Sequence, residues 1–268
     1  MDLYFFVGLV LAFLRIEYVT ARFVVKSMFQ DWNDNKVRLF SVRVVCFTHA
    51  LLSSIMCLTW LFTDPNFIRD PFTYSSPSAN YVFLFSVAYF IYDMADMVCH
   101  GELDASKEYI VHHSLVVIGF IAFVHFKQLH GLALLGLLVE VQTIFLHSRT
   151  MVHLLYTGME LPKSVDIIVN ANMICLFLFR HIPICSLLYQ LVFESQPIHW
   201  FFKAFLIVGL TFLEYHNCHL TISVAQSDGF FGYERQRMDE DNIDPLGSVR
   251  KEKERISNQG TPLNKKSQ

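Results

Sequence analysis

Charge is the first thing this chain is short of. Asp, Glu, Lys and Arg make up 17% of its 268 residues, against about a quarter in an ordinary soluble domain. With 53% hydrophobic residues and 26 Phe, that shortage excludes a soluble core of this size. The charge that is present is nearly balanced, 21 basic against 24 acidic side chains and a net charge of −3. No basic surface is therefore available for a nucleic acid, and none is expected as a partner. The six cysteines (46, 57, 99, 175, 185 and 218) lie in apolar stretches without C-x-x-C spacing. They read as membrane-buried thiols rather than disulfides or a zinc cage. The N-x-S/T acceptor for N-glycosylation is absent as well. The opening MDLYFFVGLVLAF has neither a basic leader nor a small-residue cleavage site, so it is expected to be a retained span.

What the chain does have is a series of long apolar runs separated by short polar breaks. Crossing a bilayer takes about 20 mostly apolar residues, and unpaired backbone groups force those segments into helices. Spans are expected at about 3–23, 43–62, 80–99, 110–127, 129–148, 165–190 and 200–224. The fold class is all-α: a polytopic helical membrane bundle of about seven transmembrane helices. Arg15 and Glu17 interrupt the first span, and its loss would leave six.

The short connections set the orientation. Arg22, Lys26, Lys36, Arg38 and Arg43 flank the first connection, Lys107 the third, and Arg149 and Lys163 the fifth. The opposite side offers Arg69, Lys127 and Lys203. Eight basic residues against three place the odd-numbered connections in the cytosol, with the N-terminus outside and the C-terminus inside. From 226 to 268 the chain turns polar and mixed in charge, and is expected to be a disordered cytosolic tail. It ends in Lys265-Lys266-Ser267-Gln268. Those lysines read either as a dilysine signal for a sorting coat, retrieving the protein to the endoplasmic reticulum, or as a solubilising end.

Polar groups inside spans are costly and gather where they serve assembly or function. Asp93, Asp96 and His100 fall at i, i+3 and i+7 and share one helix face. His112 and His113 open the fourth span and diverge by about 100°, so one of them is expected to meet that face directly. Glu140 and His147 share a stripe of the fifth span. His49, Glu214, His216 and His219 complete a layer expected to form a polar pocket open to the cytosol. A carboxylate beside an imidazole can orient it as a base or nucleophile, with Asp93 or Asp96 and His112 or His113 as the best catalytic pair. The competing reading is a hydrogen-bonded network that holds helices together. His100, Glu140, His147, Arg180, Glu214 and His216 are the candidate lipid contacts. No ordered ligand spacing marks a metal site, and Glu214 with His216 and His219 is not a recognised zinc arrangement. Pro183 is expected to kink the sixth span beside Arg180, and Asn170 and Asn172 to bond between helices. Gly131 and Gly136 are expected to permit a close helix contact.

Three stretches together resemble the TLC-domain family, which includes ceramide synthases: AYFIYDMADMVCHGELDASKEYIVHHSLVVIGF (88–120), LLGLLVEVQTIFLHSR (134–149) and CLFLFRHIP (175–183). The resemblance covers about 38–225, leaving 1–37 as the first span with its cytosolic connection and 226–268 as the tail. In ceramide synthases the paired histidines match His112 and His113, and acyl-CoA is the acyl donor. Their H-D-x-x-S-D-like element is missing here, where the fifth span offers Glu140 and then Thr143. The E-x-S-x-P-F-x-N-x-R pattern of other members is also departed from, lacking its proline and asparagine. These departures point to the calfacilitin-like branch of membrane-fluidity regulators.

That resemblance implies a multi-pass protein of the plasma membrane, with the endoplasmic reticulum as the alternative. Such a protein would limit incorporation of long-chain polyunsaturated acyl groups into phospholipids, particularly phosphatidylethanolamine. Its partners would be membrane lipids. No cofactor is expected, with acyl-CoA as co-substrate if the site is catalytic. The alternatives are an acyl-CoA-dependent N- or O-acyltransferase of ceramide-synthase type, and a cargo receptor or channel-associated adaptor.

Overall fold

The computed structural model describes residues 3–102, 107–157, 159, 161–194 and 198–235. Among these the ordered elements are all helical: α1 (Leu3–Met28), α2 (Asp34–Thr63), α3 (Asn66–Arg69), α4 (Asn80–Cys99), α5 (Lys107–Phe126), α6 (His130–Leu137), α7 (Val139–Leu155), α8 (Val165–Leu176), α9 (Ile182–Phe193) and α10 (Trp200–Asp228). Six segments are long and apolar enough to cross a membrane, with α6–α7 and α8–α9 each counting as one. The chain is a multi-pass helical bundle. The 29-residue α10 is long enough for a seventh crossing but carries Glu214, His216, Asn217 and His219 in its middle and is not one of the six. Lys265 and Lys266 lie outside the described residues.

Each helix sorts its faces by solvent. Along α1, Val10, Leu14, Tyr18 and Val25 form a buried stripe, while Phe5, Ile16 and Phe23 point outward. Such an outward apolar surface suits lipid rather than water. The interrupting charges of α1 are accommodated by neighbours: Arg15 lies over the Tyr18 ring at 5.4 Å, and Glu17 turns toward Thr48 of α2.

Helix α2 begins earlier than hydropathy alone suggests, because Asn33 caps it by accepting the Lys36 amide at 2.8 Å. The earlier start puts Arg38 and Arg43 inside the bundle. Arg43 is buried, and so is Arg149 of α7, so two of the eight charges counted for orientation belong to the protein interior rather than to a loop.

At the far end of α2 the chain folds back under α6. A β-carbon on Gly131 would sit 2.2 Å from the Phe67 carbonyl oxygen and 2.5 Å from the Pro71 α-carbon, so only glycine permits this approach. Gly136, the other glycine expected at a close contact, faces open space instead. His130 fastens the corner by accepting the Ser76 amide at 3.2 Å and meeting the Phe123 carbonyl at 3.2 Å.

Two irregularities break the long spans near mid-length. Leu138 separates α6 from α7 in a tightened turn, and Phe177–His181 form a single π-helical turn between α8 and α9. The π turn lies just ahead of Pro183, which takes a first-turn position of α9 where its missing amide costs nothing. The strain expected as a kink is thus absorbed as one wide turn, a feature that often marks functional sites. At the end of the bundle α10 continues to Asp228, and Gly229 stops it in the left-handed region at φ 80°.

Candidate functional site

A polar, partly open cavity of about 80 Å³ lies among α2, α4, α5, α7, α10 and the π turn. Asp93 (α4), His112 and His113 (α5), Glu140 and His147 (α7), Arg180 (π turn) and His216 (α10) all line it. Groups from five separate stretches of sequence therefore meet in one chamber. Arg43, Tyr89, Tyr109 and Thr143 line it too and were not singled out in the sequence.

The paired histidines part as helix geometry requires. His113 faces Asp93, with Nδ1 3.4 Å from the carboxylate. His112 turns the other way, its ring 5.3 Å from that of His216. Glu140 stands in the first turn of α7, 3.8 Å from His49 Nδ1. His49 is completely buried and stacked flat on Tyr89 at 3.7 Å.

Most buried polar atoms in proteins have a partner, and here a group of them does not. Nδ1 of His112 and His147 make no hydrogen bond although both atoms are buried, while Nδ1 of His113 and His216 and one oxygen of Glu140 meet a charged neighbour only at 3.4–3.8 Å. Imidazole nitrogens left open in this way around one chamber mark a place built to meet something polar.

Arg180 is different. It donates to Gln142 at 2.6 Å, Thr143 at 2.8 Å and Asn217 at 3.2 Å, and Gln142 in turn donates to Asn172 at 2.6 Å. The guanidinium is a strut between helices that also presents an edge to the cavity. Asn172 bonds between helices as expected, whereas Asn170 is exposed.

A second cavity, of about 90 Å³, adjoins the first and is lined by Gly119, Phe120, Leu132, Gly136, Leu206 and Leu210 among other apolar groups. Phe90, His112, Val139 and Glu140 line both. An apolar tunnel thus ends at an imidazole and a carboxylate, a shape matched to a molecule with a hydrocarbon tail and a polar end.

Three sequence candidates fall outside this arrangement. Asp96 is turned away by about 60°, a sixth of a helical turn, from the Asp93 direction and binds Arg38 at 3.2 Å instead. Arg38 also pairs with Glu102. His100 closes the end of α4, its Nδ1 2.8 Å from the Asp96 carbonyl. Glu214 pairs with His181 at 2.5 Å on another face of α10. Asp96 therefore belongs to an ion-pair cluster at the rim of the bundle, and neither His100 nor Glu214 lines the chamber.

Residues 39–226 match the TLC domain. The chain belongs to the TLC-domain family. TLC domain-containing protein 1 of Mus musculus is 35% identical over 145 residues, 52% of this chain and 56% of that protein. The Homo sapiens protein of the same name is 34% identical over 140 residues, with the same shares covered. TLC domain-containing protein 2 of Danio rerio is 28% identical over 184 residues, 68% of this chain and 73% of that protein. The alignment thus spans about half the length of the two mammalian relatives. In this TLC domain the matched stretch runs through every residue that lines the two cavities.

Two further features of the domain were missed in the sequence. Arg149, counted there as a loop charge, is almost wholly buried and clasps Asp228 with two bonds of 2.6 Å and Ser227 with a third of 2.6 Å. Its arginine-to-aspartate pairing spans 79 residues of chain, and no local spacing reveals it. His130 was likewise invisible, because one of its two partners, Ser76, lies in a loop 54 residues away.

Proposed function

We propose that this protein regulates membrane phospholipid composition and fluidity by holding the acyl chain of a lipid in the joined cavities. In this reading it limits incorporation of long-chain polyunsaturated acyl groups into phospholipids such as phosphatidylethanolamine. The observation that carries the proposal is the shared wall formed by His112 and Glu140, with unpartnered buried nitrogens on one side and hydrocarbon on the other. A saturated chain lies straight along an apolar channel. A chain with several cis double bonds bends, so channel shape is a physical basis for discrimination. The plasma membrane is the proposed location, with retrieval to the endoplasmic reticulum through Lys265 and Lys266 as the competing one.

The test is a lipidome of cells lacking the protein, rescued with wild type and with the His112→Ala/His113→Ala variant. The reading predicts a rise in polyunsaturated phosphatidylethanolamine on loss, reversed by wild type and left in place by the variant. Equal rescue by both proteins contradicts it.

A second reading, acyl transfer from acyl-CoA, draws on the 3.4 Å approach of Asp93 to His113. A base at that position would take the proton of an amine or hydroxyl as it attacks the thioester carbonyl. The C–S bond then breaks, an amide or ester forms, and the proton leaves on the CoA thiol. Labelled acyl-CoA with a panel of amines and lysolipids separates the readings. Turnover abolished by His113→Ala supports transfer, and its absence beside an altered lipidome supports regulation.

A further inference from the structure

Away from the cavity, on the opposite side of the π turn, four metal-ligating side chains meet in two i, i+4 pairs. His181 closes the π turn and Cys185 lies in the first turn of α9, while Glu214 and Cys218 project from the middle of α10. Residues at that spacing share a helix face. Donor atoms of His181, Glu214 and Cys218 all lie within 4.8 Å of one another. Cys218 Sγ is 3.9 Å from Glu214, and Cys185, outside that group of three, faces Glu214 from the other helix. His181 and Glu214 are mostly covered, with side-chain exposures of 16% and 20%.

The hydrogen bonds around His181 supply a second, independent observation. Thr221 Oγ1 donates its hydrogen to the Asn217 carbonyl at 2.8 Å. It therefore meets His181 Nε2, 2.8 Å away, with a lone pair and accepts that N–H. A neutral imidazole carries one N–H, so Nδ1 presents a lone pair to Glu214 Oε1 at 2.5 Å. Two lone-pair donors this close repel unless a cation lies between them. A proton would serve for the pair alone. It would leave two thiols gathered on the same carboxylate, in a helix pair facing lipid, without a role.

We propose that His181, Cys185, Glu214 and Cys218 form a binding site for a divalent cation of the zinc class. Two sulfurs, one imidazole nitrogen and one carboxylate oxygen are a ligand set that Zn²⁺ takes in tetrahedral geometry, with metal–ligand distances of about 2.0–2.3 Å. Donors around such an ion lie about 3–4 Å apart, a spacing reached here by small side-chain shifts. Thr221 acts as a positioning residue, holding the His181 tautomer that offers Nδ1, as outer partners of metal-bound histidines do. The cation also neutralises a carboxylate that a lipid-facing helix pair would otherwise carry at high cost. The site clamps α9 to α10, immediately behind the Arg180 strut of the cavity.

Full-length protein in lipid nanodiscs, stripped with chelator, can be titrated with Co²⁺ as a spectroscopic probe and then with Zn²⁺ as competitor. The expected result is saturation at one Co²⁺ per chain, with a near-ultraviolet thiolate-to-cobalt band that Zn²⁺ removes. Cys185→Ser/Cys218→Ser should abolish the band, and Thr221→Val should weaken binding about 10-fold. Both variants leave the cavity lining untouched and should keep the wild-type circular dichroism, which shows that they fold. Absence of saturable binding to the wild type, or binding unchanged in the double serine variant, overturns the proposal.

Discussion

Two buried polar clusters sit within one bundle and obey opposite rules. Around Arg149 the short bonds are made: the guanidinium meets both carboxylate oxygens of Asp228 and the Ser227 hydroxyl at 2.6 Å, and only His153 Nε2, 3.8 Å from Asp228, is left without a hydrogen bond there. Around the chamber, Nδ1 of His112 and His147, equally removed from solvent, are left without partners. A matched buried network is structural, since removing one member exposes the rest to an apolar medium. An unmatched one is a standing cost to the fold, tolerated where something else is meant to bind. The Arg180 strut stands between them, satisfied on its protein side and open toward the cavity.

The comparison breaks most visibly at Arg149. Arg149→Ala leaves the Asp228 carboxylate buried and unpaired and should lower stability by about 3–5 kcal/mol. Thermal unfolding in detergent measures this, and a loss of under about 1 kcal/mol would contradict the structural role. Gln142→Leu removes the bonds to Arg180 and Asn172 together. It should cost about 1–3 kcal/mol, the price of unsatisfied buried partners, in the same assay. On the unmatched side the sign changes. His112→Phe keeps a ring of similar size and deletes a buried nitrogen without a partner, so stability should move by less than about 1 kcal/mol in either direction. The same variant should fail to restore the lipidome of deficient cells. Full rescue would reassign His112 to packing.

The sequence made the spans legible because apolar runs of bilayer length have few other uses, and all seven expected segments lie within helices of the bundle. It also expected Asp93, Glu140 and one of His112 and His113 around one pocket, since helix spacing and alternating direction limit where each can point, and left open which histidine meets Asp93. It failed where the deciding partner came from a distant helix. Asp96 shares a helix with Asp93, yet Arg38 of α2 draws it outward to the rim. Glu214 looked like a companion of His216, two residues on, but adjacent helical positions diverge and its partner is His181. Buried arginines were read as loop charges because a membrane-spanning helix that starts nine residues early cannot be recognised by hydropathy. The unpartnered state of the cavity nitrogens is a property of three-dimensional packing alone.

The account rests on the apolar chamber receiving a hydrocarbon chain. A β-carbon at Gly136 meets nothing within 4 Å, so Gly136→Phe projects a ring from that wall into the chamber. The direct measurement is native mass spectrometry, with lipid extraction, of wild-type and Gly136→Phe protein purified from the same membranes. The account predicts that wild type carries a bound acyl lipid and that the variant carries shorter chains or none. An identical lipid complement on both proteins, or no bound lipid on the wild type, would contradict it.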